Sequence, residues 1–195
     1  MVGWIVGGLT ACSTTLNPAE EYYAPGDSLQ AVYYQLSDSL NHAWDILRQD
    51  DANKNIRLQR LLREMRQSGR YASDTLDSLS GLVAQLAELD YDSVTMGNEH
   101  RVHRYDSATV AVSEAVVQYA EARSDYEGRP VLTYLADKIL DANRGMALYR
   151  LRYDRYSRLF NRFLDDHHTM IATLDSGATP QRRFIFRATG ESSNP

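Results

Sequence analysis

The chain has 195 residues, a hydrophobic fraction of 43% and a formal net charge of −5. This length and composition suit one domain with a sizeable core. The acidic balance provides no broad basic surface of the kind that collects nucleic acid. We therefore predict a single folded domain and no nucleic-acid partner.

The N-terminal segment resembles the end of a bacterial lipoprotein signal. Residues 1–11 are apolar but much shorter than the roughly 20 residues that a membrane-spanning helix needs. They lead into Leu9-Thr10-Ala11-Cys12, which looks like a lipobox, where the cysteine thiol receives diacylglycerol and the signal is cut before it. We predict a signal peptide at 1–11, lipidation of Cys12 and an extended spacer within 12–27. Because residues 1–11 contain no Lys or Arg, a late-placed start codon or a chance match is the alternative.

From Ser28 onward, apolar residues recur at three- and four-residue spacing, which predicts amphipathic α-helices. Asp27 or Ser28 is the expected N-cap of the first helix, and Ser73 or Asp74 that of the third. The fourth is expected to stop near Gly128, where Pro130 starts the fifth. The apolar positions of the five segments span 29–47, 56–65, 76–89, 102–119 and 132–163.

The fifth segment carries the strongest helical pattern. Its alternation of three and four residues is typical of a coiled-coil seam, and a helix from Val131 to His167 would be roughly 55 Å long. We predict an all-α fold for residues 28–170: an elongated up-and-down bundle of about five helices with a long C-terminal helix. Residues 171–195 are predicted to form an extended tail, in which the aromatics around Phe184 cover the end of the bundle or, alternatively, contact a partner.

Several short motifs resemble the LemA family of membrane-anchored bacterial helical-bundle proteins. They cover most of the helical region: Tyr34, Ala43-Trp44, Tyr71-Ala72, Ala120-Glu121-Ala122, Asn143-Arg144, Arg152-Tyr153, Phe160-Asn161 and Arg183-Phe184-Ile185-Phe186. The family's isoleucine-proline-asparagine-leucine turn is replaced by Ile56-Arg57-Leu58-Gln59, which contains no proline, so a continuous or differently kinked helix is the alternative to two separate helices there. The family's N-terminal transmembrane helix is replaced by the lipobox. The resemblance implies a helical bundle attached to a membrane, and it implies no biochemical activity.

The sequence contains none of the motifs that mark common catalytic sites, such as a phosphate-binding glycine loop, a nucleophile elbow or a zincin helix. We therefore predict no catalytic residues, no cofactor and no metal ligands. The alternative is a metal- or ligand-binding bundle that uses His100 and His103, which are three residues apart beside Glu99.

The fifth segment also carries a row of arginines. Arg144, Arg155, Arg158 and Arg162 are expected to share a face away from the seam and to form an interaction surface for lipid phosphates or an acidic partner. The alternative is a solvated face on which they pair with Asp154, Asp165 and Asp166.

These observations together predict a non-catalytic scaffold or interaction module. It would be a lipoprotein tethered through Cys12 on the periplasmic or cell-surface side of a bacterial envelope. Its expected partners are the membrane, an unidentified envelope protein, and a second copy of the chain through the long seam.

Overall fold

The part of the chain that the structure describes, residues 28–169 and 181–186 of a computed structural model, contains helices and no β-strand. The prediction of an all-α fold is therefore confirmed for these residues. Their four α-helices are α1 (Leu29–Gln67), α2 (Ser73–Leu89), α3 (Glu99–Glu121) and α4 (Pro130–Asp166), and a 3-10 turn (Thr95–Gly97) precedes α3. The predicted signal peptide, Cys12, the spacer and most of the predicted tail lie outside the described residues.

The first two predicted helices are one continuous helix, α1, so the prediction of about five helices is wrong for the described residues. The apolar pattern pauses between Leu47 and Leu58 because the core-facing positions there are Asp51 and Lys54. No proline or glycine interrupts this stretch, and the backbone continues as a helix through it.

Helix ends lie where the sequence predicts them when the residue that determines the end is adjacent in the chain. Ser28 caps α1, with its Oγ accepting the Ala31 N–H at 3.2 Å, and Pro130 is the first residue of α4. The predicted cap of α2 is wrong: Ser73 already lies inside the helix and Ala72 is the N-cap. The Ala72 N–H is satisfied by the Tyr119 hydroxyl of α3 at 3.0 Å.

The helices form an antiparallel arrangement in which α1 and α4 run beside each other over most of their lengths. Tyr33 lies 5.9 Å from Phe160 and Trp44 lies 5.4 Å from Tyr153, measured between ring centroids. α2 ends at the level of Arg48 of α1, which binds Asp90 directly after that helix. The first half of α1 and the last turns of α4 therefore extend as a helix pair beyond the four-helix part, which is the part of the bundle where α2 and α3 also pack. This extension agrees with the predicted elongated bundle.

The segment 181–186 lies along this helix pair in an extended conformation, antiparallel to α4. The Asn161 side chain donates to the Arg183 carbonyl at 2.8 Å and accepts the Arg183 N–H at 2.7 Å, and Asp154 accepts the Phe186 N–H at 2.8 Å. The Phe186 ring packs against Tyr153. Phe184 stays 49% exposed, so the segment places one aromatic side chain on the bundle and leaves another at the surface.

Candidate functional site

The outer face of α4 carries all four arginines of the predicted interaction surface. Arg144, Arg155, Arg158 and Arg162 are exposed. Arg144 and Arg162 are about five helical turns apart, which returns them to the same side of the helix. Arg152 is also exposed and lies at the edge of this row.

Asp154 does not belong to this face. Asp154 is 8% exposed, and its carboxylate accepts the Phe186 N–H of the tail segment. Burial raises the pKa of this carboxyl group. Asp154 is the only acidic residue between Asp141 and Asp165. Among residues 28–169 and 181–186, Asp154 forms no salt bridge with the arginines of the row, and its carboxylate lies under the tail segment.

Pairing of the arginines is confined to one end of the row. Arg144 binds Asp141 at 3.0 Å, whereas Asp165 is bound by Arg182 of the tail segment at 2.7 Å. Within the described residues, Arg152, Arg155, Arg158 and Arg162 form no salt bridge. The row therefore presents uncompensated positive charge in a chain whose net charge is negative.

Two large apolar side chains lie within this row. Leu148 is 69% exposed and Leu151 is 65% exposed, one turn apart on the same side of α4 as Arg144 and Arg155. Single exposed leucines are common, but a pair framed by cations marks a surface that a partner can cover. We call this surface the arginine–leucine face: Arg144, Leu148, Leu151, Arg152, Arg155, Arg158 and Arg162.

A buried polar layer lies just inside the end of the four-helix part that Arg48 and Asp90 mark, and sequence analysis missed it. Asp51 and Lys54 are both 3% exposed, and Lys54 Nζ lies 2.9 Å from Asp51 Oδ1. The Tyr105 hydroxyl of α3 donates to the other carboxylate oxygen of Asp51. Burial, followed by the charge of Asp51, raises the pKa of Tyr105. The available signal was the unbroken spacing of Leu47, Asp51, Lys54 and Leu58, which places both charges on the apolar side of α1.

Two further ion pairs border this layer and join different helices. Both guanidinium nitrogens of Arg48 bind the two carboxylate oxygens of Asp90, at 2.8 and 2.5 Å. Arg150 of α4 binds Asp106 of α3 in the same bidentate manner and also donates to the Tyr91 hydroxyl at 3.0 Å. Burial is the largest single effect on Arg150 and lowers its pKa, but the hydrogen bonds and charges of Asp106 and Tyr91 together outweigh burial, and the pKa of Arg150 is raised. These charges are matched by partners on neighbouring elements, which suits a structural role.

His100 and His103 lie on the first turns of α3, where both are exposed. They line a groove of about 910 Å³ that is bounded by α3, the last turns of α4 and the tail segment 181–186. Arg158, Arg182 and Arg183 also line it. Among the described residues, no group of three or more His, Cys, Asp or Glu side chains is arranged to hold a metal ion.

Comparison with known proteins found no match among protein families, curated proteins or solved structures. The resemblance to the LemA family therefore stays a prediction. Within the described residues, every helix is too short or too polar to cross a lipid bilayer.

Proposed function

We propose that this chain is a membrane-tethered, LemA-like helical-bundle protein that works by binding, as a scaffold or interaction module of the bacterial envelope, and not by catalysis. Diacylglycerol on Cys12 supplies the tether, with the bundle on the periplasmic or cell-surface side. Two or three acyl chains suffice for a stable anchor, whereas one chain binds a membrane only marginally.

The observation that carries this proposal is the arginine–leucine face. It combines exposed apolar area with four arginines, Arg152, Arg155, Arg158 and Arg162, that form no salt bridge within the described residues, on the outer side of a long helix. Surfaces of this composition are favourable for contact, because leucine burial removes apolar area from water and arginine binds carboxylates or phosphates through a planar pair of donors.

The buried polar layer supports a binding role over a catalytic one. Asp51 is held by Lys54 and Tyr105, and Asp106 by Arg150. A general base or nucleophile must reach a substrate with its reactive atoms. In this layer those atoms are used to join α1, α3 and α4.

The tether is tested by the intact mass of the membrane-extracted protein beside a Cys12→Ser variant. We expect the wild-type chain to begin at Cys12 and to carry two or three acyl chains, and the variant to be neither cut nor acylated. An unacylated wild-type protein that retains residues 1–11 would overturn the tether.

The binding role is tested by photo-crosslinking in cells, with a crosslinking amino acid at Leu151 and a matched position at Leu82, which is exposed on α2. We expect reproducible adducts, with envelope proteins or with lipid, from Leu151 and few from Leu82. Equal labelling at both positions would contradict the use of the arginine–leucine face.

A second candidate function is ligand binding in the groove beside α3. The observation that favours it is that His100 and His103 line this groove together with three arginines. Its volume lies in the range of small-molecule sites. Elemental analysis and native mass spectrometry of the purified protein test it: a stoichiometric metal or anion that is lost in a His100→Ala/His103→Ala variant supports this candidate, and its absence from the wild-type protein contradicts it.

A further inference from the structure

We propose that the arginine–leucine face lies against the anionic phospholipid surface of the membrane that holds the chain, so that α4 rests along the bilayer. This inference rests on the proposed tether for its geometry. It names the partner of the face, which the proposed function leaves open.

The position of the tethered end supports contact between α4 and the bilayer. The spacer leads into α1 at Leu29, and the ring of Tyr33 lies 5.9 Å from that of Phe160 and 6.4 Å from that of Phe163 on α4. The end of the face that carries Arg158 and Arg162 is therefore the end nearest the tether. Residues 13–27 span at most about 50 Å when extended, which is enough to let α4 lie parallel to the surface.

The charge of the face suits a surface of lipid phosphates. Its five arginines are distributed over about 27 Å of helix, from Arg144 to Arg162. The single acidic residue within that length, Asp154, is buried under the tail segment. Arginines close to an anionic leaflet each add attraction, and this attraction declines within a Debye length of about 8 Å at physiological salt. A row on one side of a straight helix allows all of them to come this close at once.

The two leucines suit the interfacial region of a bilayer. Leu148 and Leu151 project from the centre of the face, and Arg144 and Arg155 flank them. In interfacial helices, apolar side chains enter the acyl boundary while long cationic side chains extend to the phosphates. Neither the groove beside α3 nor the smaller cavity between α1 and α2 is lined by either leucine. The leucines project from the outside of a helix. A deformable bilayer can cover such a convex surface more readily than a preformed protein pocket can.

The test uses the chain from residue 12 onward with Cys12→Ser, so that vesicle binding is independent of both the acyl chains and the apolar residues 1–11. Flotation is measured with vesicles of phosphatidylcholine alone and of phosphatidylcholine with phosphatidylglycerol. We expect binding to the anionic vesicles only, and its loss when salt is raised from about 0.05 to 0.5 M. Arg155→Glu/Arg162→Glu should lower the partition constant by about tenfold or more. The matched control, Arg60→Glu/Arg63→Glu on the exposed side of α1, should leave it within about twofold.

The leucines are tested with a single cysteine and an environment-sensitive dye. In the Cys12→Ser background, Leu151→Cys places the dye on the face, and Leu82→Cys places it on α2. We expect a blue-shifted emission on anionic vesicles from position 151 only. Circular dichroism of each variant must match that of the parent, which separates loss of binding from loss of fold.

The outcomes separate this inference from the proposed function. Equal binding to neutral and anionic vesicles, or equal effects of the α1 and α4 charge reversals, would overturn the membrane contact. Crosslinks from Leu151 to an acidic protein without vesicle binding would overturn it as well, while supporting the interaction module. An unacylated wild-type protein would instead remove the tether, which the vesicle assay does not measure.

Discussion

Lys54 and Asp51 lie one turn apart on α1, and their side chains form an ion pair at 2.9 Å inside the bundle. The Tyr105 hydroxyl completes the site by donating to the carboxylate from α3. A buried ion pair contributes little net stability compared with apolar residues of the same volume, but removing one member leaves the other charge buried alone. This asymmetry gives the first prediction.

We predict that Lys54→Met lowers the free energy of unfolding by about 3–5 kcal/mol, because it removes the nearer cation of the buried Asp51 carboxylate and leaves only Arg48, 3.9 Å away and itself bound to Asp90. Denaturant unfolding at pH 7 measures the change. The double variant Asp51→Leu/Lys54→Met should recover most of the loss, since it removes both charges. If the single and double variants are equally unstable, packing and not charge dominates at this position.

Removal of the hydroxyl group in Tyr105→Phe is expected to cost about 1–3 kcal/mol of unfolding free energy. The ring still fills its place in the core, but one carboxylate oxygen of Asp51 loses its donor. Tyr134→Phe is the control, because Tyr134 is 59% exposed on α4 and should change stability by less than about 0.5 kcal/mol. Similar effects of the two variants would contradict the assigned role of the hydroxyl.

The tail segment should be released by Asn161→Leu, which removes both of its hydrogen bonds to the backbone of Arg183. Because these two bonds are part of what holds the segment on α4, beside the Asp154–Phe186 bond and the Arg182–Asp165 ion pair, we expect cleavage by trypsin after Arg182 and Arg183 to accelerate about tenfold. Asn53→Leu on α1, far from the tail in the chain, provides the control. Unchanged cleavage rates would show that other contacts, such as Phe186 on Tyr153, hold the segment.

The loop between α3 and α4 gives a prediction for acid stability. Hydrogen bonds from Arg123 and then Arg129 lower the pKa of Asp125 to about 2. A carboxyl group whose pKa is lower in the folded state stabilises the fold above its ordinary pKa near 4, and this contribution is lost as the pH falls to about 2. We expect Asp125→Asn to lower Tm slightly at pH 5–7, with the difference from the wild-type chain disappearing near pH 2. A difference that is constant across this range would contradict the assignment.

Gly145 in the middle of α4 offers a stabilising change. A Cβ atom there would meet only Tyr149 Cε2 at 3.5 Å, an ordinary contact, so Gly145→Ala should raise the free energy of unfolding by about 1 kcal/mol through helix propensity. Gly69→Ala should do the opposite, since Gly69 follows α1 with a φ of 63° that side chains disfavour. Denaturant unfolding of both variants measures whether Gly145→Ala is more stable and Gly69→Ala less stable than the wild-type chain.

The features that sequence predicted correctly are those with local causes. The Ser28 cap and the Pro130 start are set by the residue itself, and the exposure of Arg155 and Arg162 follows from their distance from the seam. Helical periodicity contains this information without reference to the rest of the fold. The extent of α4 and the all-α class could therefore be predicted from the sequence.

The features that sequence missed depend on partners that are remote in the chain. The pause in the apolar pattern of α1 is occupied by Asp51, whose carboxylate accepts a hydrogen bond from Tyr105, 54 residues later. The N–H of Ala72, the N-cap of α2, is bound by Tyr119, 47 residues later, and the Asp154 carboxylate accepts the N–H of Phe186, 32 residues later. No local pattern specifies which of these polar residues will meet which.

The polar layer also favours one alignment of α1 against α3, because Asp51 and Lys54 lie on α1 and Tyr105 lies on α3. The three-and-four repeat of these two helices would allow them to slide by one heptad with apolar side chains still in contact. Such a slip would carry Lys54 into the place of Leu47 and bring Leu61 into the place of Lys54, separating the charges from Tyr105. A polar group at one level of an otherwise uniform seam selects a single register at some expense of stability. The same layer therefore disfavours mispaired hairpins, whether within one chain or between two copies exchanging their long helices.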